Sequence, residues 1–118
     1  MSKRVLVTDD DESIRETIEM GLVDEGYEVQ TASDGVAALS VAREWHPDII
    51  LLDMKMPVMD GWAFAAAYRD IPEPRASIIV VTAAQDAARW AEEIEADGVL
   101  AKPFDLDHLF AVVDQHGG

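Results

Sequence analysis

A chain of 118 residues, 49% of them apolar, is the size of one domain with a real core. It has no cysteine, which excludes disulfides, thiol catalysis and thiolate metal sites. Its formal net charge of −15, from 24 acidic and 9 basic residues, repels a phosphate backbone and argues against direct nucleic-acid binding.

Met1 leads straight into the first β-branched run, Val5-Leu6-Val7-Thr8, with no apolar leader of signal-peptide length before it. Ile14, Ile18 and Leu22 then recur every fourth residue, which predicts an amphipathic helix ending near Gly26. Glu28-Val29-Gln30-Thr31 is the second strand, and Val36 to Arg43 the second helix, stopped before Pro47. Ile49-Ile50-Leu51-Leu52 is the third strand. Asp60 to Arg69 is the third helix, with Asp60 as its N-cap. After the surface loop Pro72-Glu73-Pro74 comes the fourth strand, Ile78 to Thr82, and an Ala-rich fourth helix over Asp86 to Glu95. Gly98-Val99-Leu100-Ala101 is the fifth strand. Leu106, Leu109, Val112 and Val113 mark the fifth helix, capped by Asp105 and ended by Gly117-Gly118. No apolar stretch reaches the roughly 18 residues that a membrane-spanning helix requires.

Strict βα alternation, with three strands apolar at nearly every position, predicts a doubly wound α/β fold with a five-stranded parallel sheet and five helices. Residues 1–118 read as a single domain without linker, repeat or low-complexity segment. Such sheets bind ligands outside the carboxyl ends of their strands. Four chain segments meet at that rim: Thr8-Asp9-Asp10-Asp11-Glu12, Asp53-Met54-Lys55-Met56-Pro57, Thr82-Ala83 and Lys102-Pro103-Phe104. Glu12 and Asp11 also suit a helix N-terminus.

Carboxylates gathered at close range repel one another and call for a cation. Oxygen ligands without His or Cys suit Mg²⁺, which takes few protein carboxylates and keeps several waters. Asp9, Asp10 and Asp53 are balanced by one divalent ion plus the ammonium of Lys102. A carboxylate can attack phosphorus to form an acyl phosphate, and phosphoryl transfer then needs mainly positioning and charge cancellation. Thr82 has a hydroxyl to donate to a phosphoryl oxygen.

These residues resemble the receiver domains of bacterial two-component response regulators, including single-domain chemotaxis regulators. The resemblance spans nearly the whole chain. It rests on Asp9-Asp10 after Val5-Leu6-Val7, on Pro47 to Gly61 around Asp53, on Thr82-Ala83 and on Lys102-Pro103-Phe104. It implies a flavodoxin-like strand order 2-1-3-4-5. It implies Asp53 as the phosphorylated nucleophile, Asp10 as a direct Mg²⁺ ligand, Asp9 as a ligand mainly through water and the main-chain carbonyl of Lys55 as a further ligand. Lys102 is expected to pair with Asp53 before transfer and with the phosphoryl group after it. Thr82 is expected to move toward that group, and Lys102–Pro103 to be a cis peptide. The implied partners are a histidine kinase or histidine phosphotransfer protein and a downstream protein effector, with no membrane contact, in the cytoplasm. The module catalyses only its own phosphorylation and dephosphorylation, and either stands alone or leads a longer chain.

The chain departs from that pattern in places. Val99 stands where many receivers carry an aromatic residue that swings inward with the Thr, which Val cannot do. The stretch from Thr82 to Lys102 is slightly shorter than usual, so the fourth helix or its flanking loops are reshaped. Lys55 and Ala84 occupy positions beside the site that affect how long the phosphoryl group lasts. Trp45, Trp62 and Trp90 lie on helices, with Trp62 half-buried and Trp90 either packed or a partner anchor. Met54, Met56 and Met59 are loop and core filler. His46, His108 and His116 are surface residues. Two competing functions are a Mg²⁺-dependent phosphohydrolase of the haloacid dehalogenase type, with Asp9 as nucleophile, and a pseudo-receiver that signals without phosphate.

Overall fold

The computed structural model describes residues 3–117. The elements run β1 (Arg4–Thr8), α1 (Glu12–Asp24), β2 (Glu28–Ala32), α2 (Gly35–Trp45), β3 (Ile49–Asp53), α3 (Gly61–Tyr68), β4 (Ser77–Ala83), α4 (Ala84–Glu93), β5 (Gly98–Lys102) and α5 (Leu106–Gly117). All four strand pairings are parallel and the order is β2-β1-β3-β4-β5, as the resemblance implied. The central strand β3 is buried at every position, because helices cover both its faces. The edge strands are less enclosed: β2 alternates exposed and half-buried positions before buried Ala32, and Leu100 is the one buried residue of β5.

Strand alternation divides the core in two. Val5, Val7, Ile49, Leu51, Ile79, Val81 and Leu100 face α1 and α5, where Ile18, Leu22, Leu109 and Val113 meet them. Leu6, Ile50, Leu52 and Val80 face the other layer, packed by residues of α2, α3 and α4 such as Ala38, Phe64 and Ala91. Each strand's last residues inherit this parity, which decides where the rim side chains point.

Helix starts follow the expected capping chemistry. Asp11, Asp34, Asp60 and Asp105 each accept a backbone N–H three residues on. The fourth helix differs from expectation. It begins at Ala84, directly after β4, and ends at Glu93. Its N-cap position, Ala83, has no side chain to cap with, so the acid expected to mark the start, Asp86, lies inside the first turn. Glu95 then takes a left-handed conformation (φ 54°) that turns the chain toward β5. The fifth helix includes Gly117, which was expected to end it; Gly118, like Met1, lies outside the described residues. His46 and His108 are exposed as expected. His116 is instead half-buried, with its ring against Gly98, where an added Cβ would meet its Nε2 at 2.7 Å.

Candidate phosphoryl and cation site at the strand ends

Three acids and one ammonium converge where β1, β3 and β5 end. Asp9 extends the Val5–Val7 face of β1, Asp53 the Ile49–Leu51 face of β3, and Lys102 the Leu100 face of β5. All three therefore point to the α1–α5 side. Lys102 Nζ donates to Asp9 Oδ2 at 3.1 Å and stands 4.0 Å from Asp53 Oδ2. Lys102 thus spans both acids: the expected pair with Asp53 is present at 4.0 Å, and a shorter one with Asp9 is added to it. Asp9 is the more deeply buried of the two acids.

The second oxygen of Asp9, Oδ1, accepts the Asp11 N–H at 2.9 Å. Its backbone carbonyl accepts Arg15 Nη1 at 2.8 Å, so a cation on α1 also fixes the β1 end. Nothing in the sequence signalled Arg15, because its partner is a main-chain atom that any residue would supply. Asp53 Oδ1 accepts the Lys55 N–H over a long 3.4 Å.

Oxygens of Asp9, Asp10 and Asp53 lie within 4.8 Å of one another. Burial first, and the Asp9 carboxylate second, raise the Asp53 carboxyl from an ordinary 3.8 to about 7. Lys102 and the Lys55 N–H oppose that rise, while a hydrogen bond with Asp10 adds to it. The pocket therefore holds more negative charge than its one ammonium relieves. A hard divalent cation with oxygen ligands fits that deficit, and the three carboxylates can hold one.

The loop after Asp53 is held by close backbone approaches. Gly61 N–H donates to the Met54 carbonyl at 2.9 Å, and a Cβ on Gly61 would meet the Met54 Sδ at 2.5 Å. Gly35 N–H donates to the Met59 carbonyl at 2.9 Å, which ties the start of α2 to the same loop. Met54 is fully buried and Met56 and Met59 half-buried, as expected of filler.

The remaining expected residues flank the pocket. Thr82 is buried beside the Asp53–Val81 register pair, but it shares the face of Val80, on the α4 side. Val99 is 40% exposed on the edge strand. Ala84 is the exposed first residue of α4. Lys102–Pro103 is cis, as implied; Glu73–Pro74 is cis as well, which the sequence did not signal. The Lys55 side chain turns away from the acids. Its Nζ stands 5.2 Å from the Trp62 ring centroid and 5.3 Å from that of Trp90.

Residues 5–114 match the family described as "Response regulator receiver domain". The transcriptional regulatory protein PrrA of Mycobacterium tuberculosis is 41% identical over 116 residues, covering 95% of this chain and 48% of PrrA. The response regulator PleD of Caulobacter vibrioides is also 41% identical over 116 residues, covering 96% of this chain and 26% of PleD. The chain thus spans about half the length of PrrA, or less in the case of PleD. Among solved structures, the chemotaxis response regulator CheY4 of Vibrio cholerae superposes with a TM-score of 0.89 at 34% identity, over 98% of both chains.

Proposed function

The chain belongs to the response regulator receiver family of two-component signalling, and from that premise we propose that residues 1–118 form one such domain in which Asp53 is the phosphoacceptor. The observation that carries this reading is the difference between the two buried acids. Both oxygens of Asp9 are engaged, one by Lys102 and one by the Asp11 N–H. Asp53 is held more loosely, by a 3.4 Å contact to the Lys55 N–H and by the Lys102 ammonium at 4.0 Å, so it is the acid better placed to attack. The hydrolase reading needs Asp9 as the nucleophile, and that engagement counts against it.

An Asp53 oxygen attacks the phosphorus of a phosphohistidine. The new O–P bond forms as the P–N bond breaks, and the departing electron pair stays on the imidazole nitrogen, which then takes a proton. Mg²⁺, held by Asp10 and Asp53 directly, by Asp9 through water and by the Lys55 carbonyl, would neutralise charge on the transferring oxygens. Lys102 supplies the second positive charge, moving from the carboxylates to the phosphoryl group. Thr82 donates its hydroxyl to a phosphoryl oxygen and carries the change to the α4 side. Hydrolysis of the acyl phosphate resets the module. The donor is a histidine kinase or histidine phosphotransfer protein, and the readout is a changed surface for a downstream effector. The compartment is the cytoplasm, where ATP-dependent kinases charge such donors.

The test is peptide mapping by mass after acetyl phosphate treatment with Mg²⁺. The label is expected on the peptide holding Asp53, and Asp53→Ala removes it. A label on Asp9, or one that survives Asp53→Ala, overturns the reading.

A further inference from the structure

Lys55 joins two parts of the molecule. Its backbone N–H lies 3.4 Å from Asp53 Oδ1, while its ammonium rests between two indole rings on different helices, 5.2 Å from Trp62 and 5.3 Å from Trp90. The rings contact edge to face, with centroids 5.0 Å apart and planes at 70°. Trp62 Nε1 donates to Glu93 Oε1 at 2.8 Å, which pins the α3 ring to α4. The Arg89 guanidinium stands 5.9 Å from the outer ring, Trp90, and is itself paired with Asp86 at 2.8 Å.

We propose that the Lys55 side chain is a relay: it leaves the Trp62–Trp90 pair for the phosphoryl group when Asp53 is phosphorylated, and so releases a contact that joins α3 to α4. The inference deepens the phosphoacceptor reading of Asp53 and rests on it. The physical case is a competition between two resting places for one flexible ammonium. A cation over half-exposed rings gains a modest attraction. A phosphoryl group carries nearly two negative charges and three strong acceptors, and a charge-assisted hydrogen bond to it is the stronger of the two. The four-carbon stem of Lys lets its head move while the main chain stays by Asp53. Before phosphorylation Lys102 already serves the buried acids, so Lys55 is left to the rings. Added phosphoryl charge reverses that preference. Once the ammonium leaves, the rings lose a covering group and α4 loses one of its ties to the site loop.

Fluorescence reads the relay directly. In a Trp45→Phe background, Trp62→Phe leaves Trp90 as the sole indole, and Trp90→Phe leaves Trp62. Emission from each is recorded before and after acetyl phosphate with Mg²⁺, and the labelled fraction is measured by mass. The expected result is a red shift of both rings in proportion to label. Unlabelled Lys55→Ala should already show that shift. Unchanged emission at high label overturns the relay, and so does an unlabelled Lys55→Ala spectrum identical to its parent. A chain that takes no label at all instead sinks the phosphoacceptor reading, and the relay with it.

Discussion

The two flanks of the strand-end rim are built by different rules. On the α1–α5 flank, Asp9, Asp53 and Lys102 each continue an apolar strand face, so sheet register alone brings them together. On the α4 flank, β4 passes into α4 with no intervening residue and without a side-chain cap. Only Ala87 and Ala91 of that helix are buried, and Val99 beside it is 40% exposed. The first flank holds charges in place by topology. The second rests on one aromatic pair and small side chains, so it is the flank that can move at low cost.

The largest expected effect breaks the first flank at its ammonium. Lys102→Ala leaves Asp9 buried with no cation and removes positive charge from the transferring phosphoryl group. The acetyl-phosphate labelling rate should fall by about a hundredfold, as for loss of one preorganised electrostatic contact. Stopped-time mass measurement checks it; a fall of less than severalfold would assign the charge to another group.

The next effect tests the loop between the flanks. A Cβ on Gly61 would meet Met54 Sδ at 2.5 Å and Met54 Cα at 2.8 Å. Met54 is fully buried and follows Asp53, so it has little room to retreat. Gly61→Ala should destabilise by about 1–3 kcal/mol, read as a lower urea midpoint at unchanged slope. A wild-type midpoint would mean that the loop shifts freely.

A smaller effect concerns acid balance. The Asp53 carboxyl titrates near 7 in the folded chain and near 3.8 in the unfolded one. Between those values the folded state holds a proton that the unfolded state has released, so stability falls as pH rises from 4 to 7. Above 7 the penalty is constant. In chelator the loss should be on the order of 1–2 kcal/mol, since the pocket can relax around the charge. Asp53→Asn should flatten this slope, and so should saturating Mg²⁺, which favours the ionised form. A slope that persists unchanged in Asp53→Asn would place the titration elsewhere.

The same contrast sets what the sequence disclosed. Near-continuous apolar runs that end in Asp9, Asp53 and Lys102 made the acid pocket legible, because parallel order brings those strand ends to one rim before any contact is known. Asp11, Asp34, Asp60 and Asp105 are local caps, and those the sequence analysis named stand where it put them. The α4 boundary was not legible: Ala84 and Gln85 are good helix formers, and only the direct β4–α4 junction shows that the helix begins with them. That Lys102 sits closer to Asp9 than to Asp53 depends on sub-ångström differences in reach. Lys55 over Trp62 and Trp90 joins residues from three elements, and no spacing rule links them. Charge placed by strand register is readable in a single chain. Charge placed by side-chain choice among neighbours is not.

The smallest effect sharpens the reading of the α4 flank. Val99 and Thr are both β-branched, so Val99→Thr keeps the strand's backbone preference and nearly its shape. The new hydroxyl can stay hydrated at a position 40% exposed. The substitution should change stability by less than about 0.5 kcal/mol, as for a surface position with no special role. It should also leave the labelling rate at Asp53 unchanged, because Val99 offers no polar group to Thr82 or to the phosphoryl group. Thermal unfolding and labelling kinetics read both outcomes. Wild-type behaviour in both would mean that the flank's response to phosphorylation runs through other residues, such as Thr82 and the aromatic pair holding Lys55. A clear loss in either would return the edge strand to the centre of the switch.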